Sequence, residues 1–374
     1  MFKLEPRPQP SRAMGYLSPL LAAALTLITG FIVFTLIGQD PFAAFYAFFV
    51  APIDDLFGWG ELGIKAAPLM LCAVGLAIGF RANVWNIGAE GQLTMGAICG
   101  GGIALAFYEV EGVWLLPLMV VAGAFGGMAW ASIPAFLKTR FNTNEILVSL
   151  MLTYVATLFL SYLVHGPWRD PDGFGFPETR QFHDSATLPL LIEGTRLHAG
   201  LVLALIVVGL GWLFMMRSFV GYQMQVAGLA SAAAHYAGFS QKRMVWTGLL
   251  VGGGTAGIAG MGEVAGPVGQ LLPSISPGYG FAAIIVAFVG RLHPLGILLA
   301  SLLMALLYLG GESAQMDLGM PSAVTGVFQG MLLFFLLASD VFINFRLKVT
   351  RPAPAPASAA TSAPGATPSK ETAA

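Results

Sequence analysis

From Tyr16 to Ile37 the chain carries no charged residue, and stretches of similar character recur almost to its end. A helix of roughly 20 apolar residues is what crosses the hydrocarbon core of a bilayer. The alternative, a large soluble core, is excluded by composition. Only 10% of the 374 residues are charged and 56% are hydrophobic, whereas soluble globular chains carry about 25% charged residues. So few charges cannot clothe a water-exposed surface. The expected fold is all-α: a polytopic membrane protein.

The length rule marks about ten spans, at 16–37, 62–80, 90–108, 113–137, 146–164, 199–216, 244–262, 279–291, 294–311 and 321–342. With the N-terminus in the cytoplasm, Arg81, Lys138, Arg140, Arg217, Lys242, Arg243, Arg291 and Arg346 fall on the inner side. Asp54, Asp55, Glu61, Glu109 and Glu111 fall outside. That is the positive-inside pattern, and it places both termini in the cytoplasm. One span more or fewer scrambles it.

The resulting division is an N-terminal cytoplasmic segment 1–15, a transmembrane body 16–345, and a Pro/Ala-rich cytoplasmic tail 346–374 that is expected to be disordered. Within the body, "QDPFAAFYAFFVAPIDDLFGWG" reads as a short outer helix at the interface. The outer loop 165–198, which opens with "HGPWRDPDGFGFPETRQFHDS", has the Pro, Gly and charge of a lid or docking surface. The inner loop 217–243 is alanine-rich and helix-prone. It reads either as a cytoplasmic docking knob or as a surface helix on the headgroups.

The chemistry is as informative for what it lacks. The five histidines are scattered, and Cys72 and Cys99 lie in apolar runs as packing residues. No His/Cys cluster has metal-ligand spacing, so no cofactor is expected. The net charge of −1 gives no reason to expect a nucleic-acid partner. A Gly-x-Gly-x-x-Gly pattern at 252–257 lies inside an apolar span rather than after a soluble strand, and reads as helix–helix packing. No Gly-Lys-Ser/Thr occurs, so any ATP hydrolysis must reside on another chain.

One run breaks the apolar rule: "GFRANVWNIGAEGQLTMG", Gly79–Gly96. Ionised groups inside a bilayer cost on the order of 2.5–3.5 kcal/mol each, which makes intramembrane polar residues candidates for a transport path. Asn83, Asn86, Glu90 and Gln92 are such candidates. For Glu90 an ion pair with Arg81, or capping of the next helix, stands equally open. A weaker echo lies at "LVGGGTAGIAGMGEVAGPVGQLLPSISPGYG", where Glu263 and Gln270 stand in for Glu90 and Gln92. Paired Gly-interrupted apolar segments point to an internal repeat and a substrate path. Tyr279 completes the candidate set. Asn144 and Glu145 open a span and read as helix-capping residues.

The segments "GFRANVWNIGAEGQLTMGA", "LKTRFNTNEILVSLMLTYVA" and "VAGLASAAAHYAGFSQKR" resemble signature stretches of the permease subunits of bacterial ABC importers. The likeness is to the nucleoside-type branch of the branched-chain amino acid/simple-sugar permease family. It runs from about residue 15 to 345, departing where Thr153 and Tyr154 replace a frequent Asn-Tyr pair. The resemblance implies that the inner loop is a coupling helix, with Gly228, Ala233, Ala234, Tyr236 and Gly238 facing an ATPase. It implies as partners an ATPase subunit with two nucleotide-binding domains, a second similar permease, and a periplasmic or lipid-anchored binding protein. It also implies an inner-membrane location and uptake of a nucleoside or purine-like solute. The rival readings are a simple-sugar permease and an ATPase-independent transporter or channel, for which Glu90 and Glu263 would be the only carboxylates available to couple ions.

Overall fold

A computed structural model describes residues 2–7, 9 and 11–349. In chain order the helices are α1 (Arg12–Ile37), α2 (Pro41–Phe49), α3 (Leu56–Arg81), α4 (Ala89–Ala106), α5 (Leu115–Phe141), α6 (Glu145–His165), α7 (Gly200–Arg217), α8 (Phe219–Leu229), α9 (Ser231–Tyr236), α10 (Gln241–Glu263), α11 (Tyr279–Val289), α12 (Pro294–Leu318) and α13 (Ala323–Asn344). Each expected span has its helix. Eight are long and apolar enough to cross a membrane. The other two, α4 and α11, are the helices that follow the two polar breaks. The outer aromatic segment forms α2, whose first turn is capped by Asp40 through Phe42 N–H at 3.0 Å.

The two ends of the described part of the chain meet. Strand β1 (Phe2–Pro6) pairs antiparallel with β2 (Phe345–Val349), in register Phe2 with Val349, and Arg346 bridges Glu5 at 2.8 Å. Both ends therefore lie on one side, which requires an even number of crossings. Residues 346–349, assigned from the sequence to a disordered tail, belong to this ribbon. Residues 350–374 lie outside the described residues.

Helix α3 is the axis of the bundle and is buried along nearly its whole length. Apolar side chains gain nothing by leaving lipid for protein, so close backbone approach has to hold such a helix. Glycine supplies that approach. Gly75 and Gly79 of α3 meet Gly252 and Gly248 of α10, so the two helices run antiparallel. Gly123 and Gly127 of α5 meet Gly257 and Gly253 of α10, and Gly96 of α4 also rests on Gly257. The Gly-x-Gly-x-x-Gly pattern is therefore a packing surface, used on three sides at once.

The sequence echo has a structural counterpart. Helix α3 ends in an irregular segment, 82–88, from which α4 departs. Helix α10 ends in a π-helical turn (Val264–Val268) and an irregular segment, from which α11 departs. Because α3 and α10 are antiparallel, the two units are inverted relative to each other. Helix α11 has 11 residues and is roughly 16 Å long, about half a hydrocarbon core. It therefore begins inside the bundle, and Gly280 near its start lies on the backbone of Ala89 and Glu90. Two helix N-termini thus meet in the interior.

Candidate functional site

Helix N-termini carry unpaired N–H groups and partial positive charge. Two of them together need an acceptor, and Glu90 provides it. Its carboxylate accepts from Gly280 N–H at 2.6 Å and is also bonded by the Ser276 hydroxyl and Gly278 N–H. Glu90 does cap a helix, but that helix is α11, 190 residues away, rather than the one it opens. Arg81 takes another partner, donating to the carbonyl of Met215 at the end of α7 at 3.2 Å.

The neighbouring amides are engaged with each other. Asn86 Nδ2 donates to Gln92 Oε1 at 2.8 Å, Gln92 Nε2 donates to Asn86 Oδ1 at 3.0 Å, and Gly88 N–H adds a second bond to that oxygen. Both residues are 1% exposed. An irregular segment inside a membrane protein must satisfy its polar groups internally, and this pair does so. Asn83 sits apart, with φ 57° and its Oδ1 accepting from Trp85 Nε1 at 3.0 Å.

At the outer half, the loop 165–198 is stitched onto the second break. Thr179, Phe182 and Leu188 donate backbone N–H groups to Leu271, Gly269 and Ala265 at 2.7–3.1 Å. Gln270 belongs to this seam, donating to Glu178 at 3.0 Å beside an outer cavity of about 650 Å³. His198 closes the seam. Its Nδ1 accepts from Gly200 N–H at 3.1 Å, while buried Nε2 faces Gly266 with no hydrogen-bond partner among the described residues. Burial, with Arg196 nearby, holds its pKa down at about 4.

Below the loop lies a group of charges that the sequence pattern alone did not single out. Lys65 of α3 pairs with Glu312 of α12 at 2.7 Å, and Arg196 with Glu61 at 3.6 Å. Lys65 is about 13 Å into α3 by helical rise and mostly buried, while Glu312 is half exposed. Glu263 is 6% exposed and lies within electrostatic range of Lys65, Glu90 and Arg196. Tyr279, 4% exposed, packs edge-on against Tyr308 at 5.6 Å, within the same range of Glu263, Glu312 and Glu61. Glu263, Tyr279 and Glu90 are thus brought together with Lys65. Gln270 and Asn83 stand outside this group, at opposite ends.

On the inner side the loop forms two helices broken at Ala230. Gly228 lies directly on the Arg81 carbonyl, where any side chain would collide, and Ala234 is fully buried. These two hold the element against the bundle. Tyr236 projects with 95% exposure, Leu229 with 80%, and Ala233 is exposed beside them. Gly238, with φ +78°, ends the element in the left-handed conformation that favours glycine. Behind it is a cavity of about 320 Å³ lined by Asn83, Trp85, Ala227, Ser231 and the Lys138–Glu145 pair at 2.9 Å. The polar break and the inner element share this wall. Asn144 caps α6 through Ile146 N–H at 3.0 Å, as its position implied.

Comparisons with known proteins place this helical bundle among transport permeases. A glucose ABC transporter permease protein of Haloferax volcanii is 34% identical over 93% of both chains. A guanosine ABC transporter permease protein of Bacillus subtilis is 29% identical, covering 89% of this chain and 96% of its own. A nucleoside ABC transporter permease protein of Lactococcus lactis is 27% identical over 86% and 90%. Such permeases are non-catalytic translocation subunits of ABC transporters whose ATPase is a separate chain. The family model described as branched-chain amino acid transport system, permease component, matches residues 60–337, and the chain belongs to that family.

Proposed function

We propose that this chain is one of two similar permeases in the inner membrane of a prokaryote, importing a nucleoside or purine-like solute. A binding protein delivers the solute outside, and an ATPase with two nucleotide-binding domains docks on α8–α9 inside. The observation that carries the reading is the inner element itself. Tyr236 and Leu229 project outward, while Gly228 rests on the end of α3, the central helix. A push on α8 is therefore delivered to α3 through Arg81, and to α7 through the Arg81–Met215 bond. In this account Lys65, Glu263, Tyr279 and Glu312 line the outer half of the path and Asn83 the inner cavity. Glu90, Asn86 and Gln92 maintain the break between them, and Gln270 anchors the outer loop.

The guanosine and nucleoside permeases among the relatives support the solute assignment. The 34% identity to a glucose permease supports a second reading, a monosaccharide. Both solutes present hydroxyls to a path lined by carboxylates and phenols. Proteoliposomes holding this chain with its cognate partners should accumulate labelled guanosine on ATP addition, undiminished by excess glucose. Accumulation of glucose and not guanosine would replace the solute assignment by the second reading.

A further inference from the structure

Between α3, α7 and α10 runs an apolar groove of about 640 Å³, walled by Ile78, Leu210, Phe214 and Val251. It extends along α7 from Val207 to Arg217, ten residues or about 15 Å, which is the depth of a single leaflet. The hydroxyl of Thr255 in its wall is already spent on the carbonyls of Val251 and Gly252, both at 3.1 Å. Away from its mouth the lining therefore offers a ligand no free polar side chain among the described residues, and what fits is hydrocarbon.

The mouth is different. Arg217 and Ser218 close the end nearest α8, and the Ser218 hydroxyl is committed to Phe214 and Gly221. The Arg217 guanidinium lies 5.9 Å from the centre of the Trp212 ring and has no carboxylate partner among the described residues. Trp212 itself is exposed, as an aromatic at a membrane interface is. A basic group at the cytoplasmic edge of a cleft between helices is complementary to an anionic headgroup.

We propose that this groove holds one acyl chain of an anionic phospholipid from the cytoplasmic leaflet, its phosphate on Arg217. The site adjoins α7 where that helix passes into the inner element, so the lipid contacts the same helix end that Arg81 holds.

The test is native mass spectrometry of the full transporter complex, extracted in mild detergent and titrated with phosphatidylglycerol or phosphatidylcholine. The native chain should retain one phosphatidylglycerol and prefer it about fivefold, near the ~1 kcal/mol expected for one basic residue at a membrane surface. Arg217→Gln should retain lipid but lose the preference. Val251→Trp, which fills the groove, should lose retention of both lipids while the complex stays intact by size-exclusion chromatography. Unchanged retention in Val251→Trp, or equal affinity of the native chain for the two lipids, would overturn the proposal. So would a disulfide between two copies carrying Leu210→Cys, which would make the groove a protein interface.

Discussion

Replacing Glu90 separates a cap from a solute contact. In Glu90→Ala the Gly280 N–H, now 2.6 Å from the carboxylate, loses its acceptor inside the bundle. Ser276 Oγ still accepts from Gly278 and Tyr279, at 3.1 and 2.9 Å, so of the two amides on the Glu90 carboxylate only that of Gly280 is orphaned outright. An orphaned buried donor costs about 1–3 kcal/mol, and loss of the anion between two helix N-termini adds up to about 2 kcal/mol. We expect about 3 kcal/mol for Glu90→Ala. For Glu90→Gln, which keeps an acceptor but not the charge, about 1 kcal/mol is expected. Deuterium exchange in nanodiscs reads this directly. The first-turn amides of α11 should exchange on the order of 100-fold faster in the alanine variant and about fivefold faster in the glutamine variant, at tenfold per 1.4 kcal/mol. Unchanged exchange at Gly280–Ala282 in the alanine variant, together with a raised KM for the solute, would refute the capping role.

Gly257→Ala puts a methyl into the Gly123 carbonyl of α5 and should lower stability by about 1–3 kcal/mol. Gly262→Ala, in the same helix with nothing nearby, should not lower stability but raise it by about 0.5–1 kcal/mol. Lys65→Met should abolish most uptake but cost under about 1 kcal/mol of stability, because Glu312 is half exposed; the exchange Lys65→Glu with Glu312→Lys should restore part of the uptake. His198, depressed to about 4 in the folded chain, binds its proton more readily when unfolded. Stability should therefore fall as pH drops from about 6.5 to 4, by on the order of 3 kcal/mol. His198→Asn, which keeps an acceptor for Gly200 N–H, should flatten that slope in pH-dependent melting curves.

The bundle was legible because lipid makes most crossings announce themselves as long, nearly uncharged runs, and inner-loop basic residues then fix their direction. The glycine pattern at 252–257 was readable as packing for the same reason. The site was less legible because its pairings are remote. Lys65 and Glu312 are 247 residues apart, and each alone is one charge in an apolar run. Glu90 was recognisable as a cap, but nothing local named α11 as the helix it serves. Asn86 and Gln92 satisfy each other only because the chain turns between them. In the alanine-rich inner loop, small residues look alike on either face, so the burial of Ala234 against the exposure of Tyr236 emerged only from packing.

The most direct test of the central claim, that this permease is driven through α8–α9, is Tyr236→Asp in the complete reconstituted transporter. Tyr236 has no packing role to lose, so insertion and melting temperature should match the native chain. The ATPase should no longer co-purify, and ATP-dependent solute accumulation should fall at least tenfold. Full ATP-driven uptake by this variant, or uptake along an ion gradient by the permease without any ATPase, would contradict that claim.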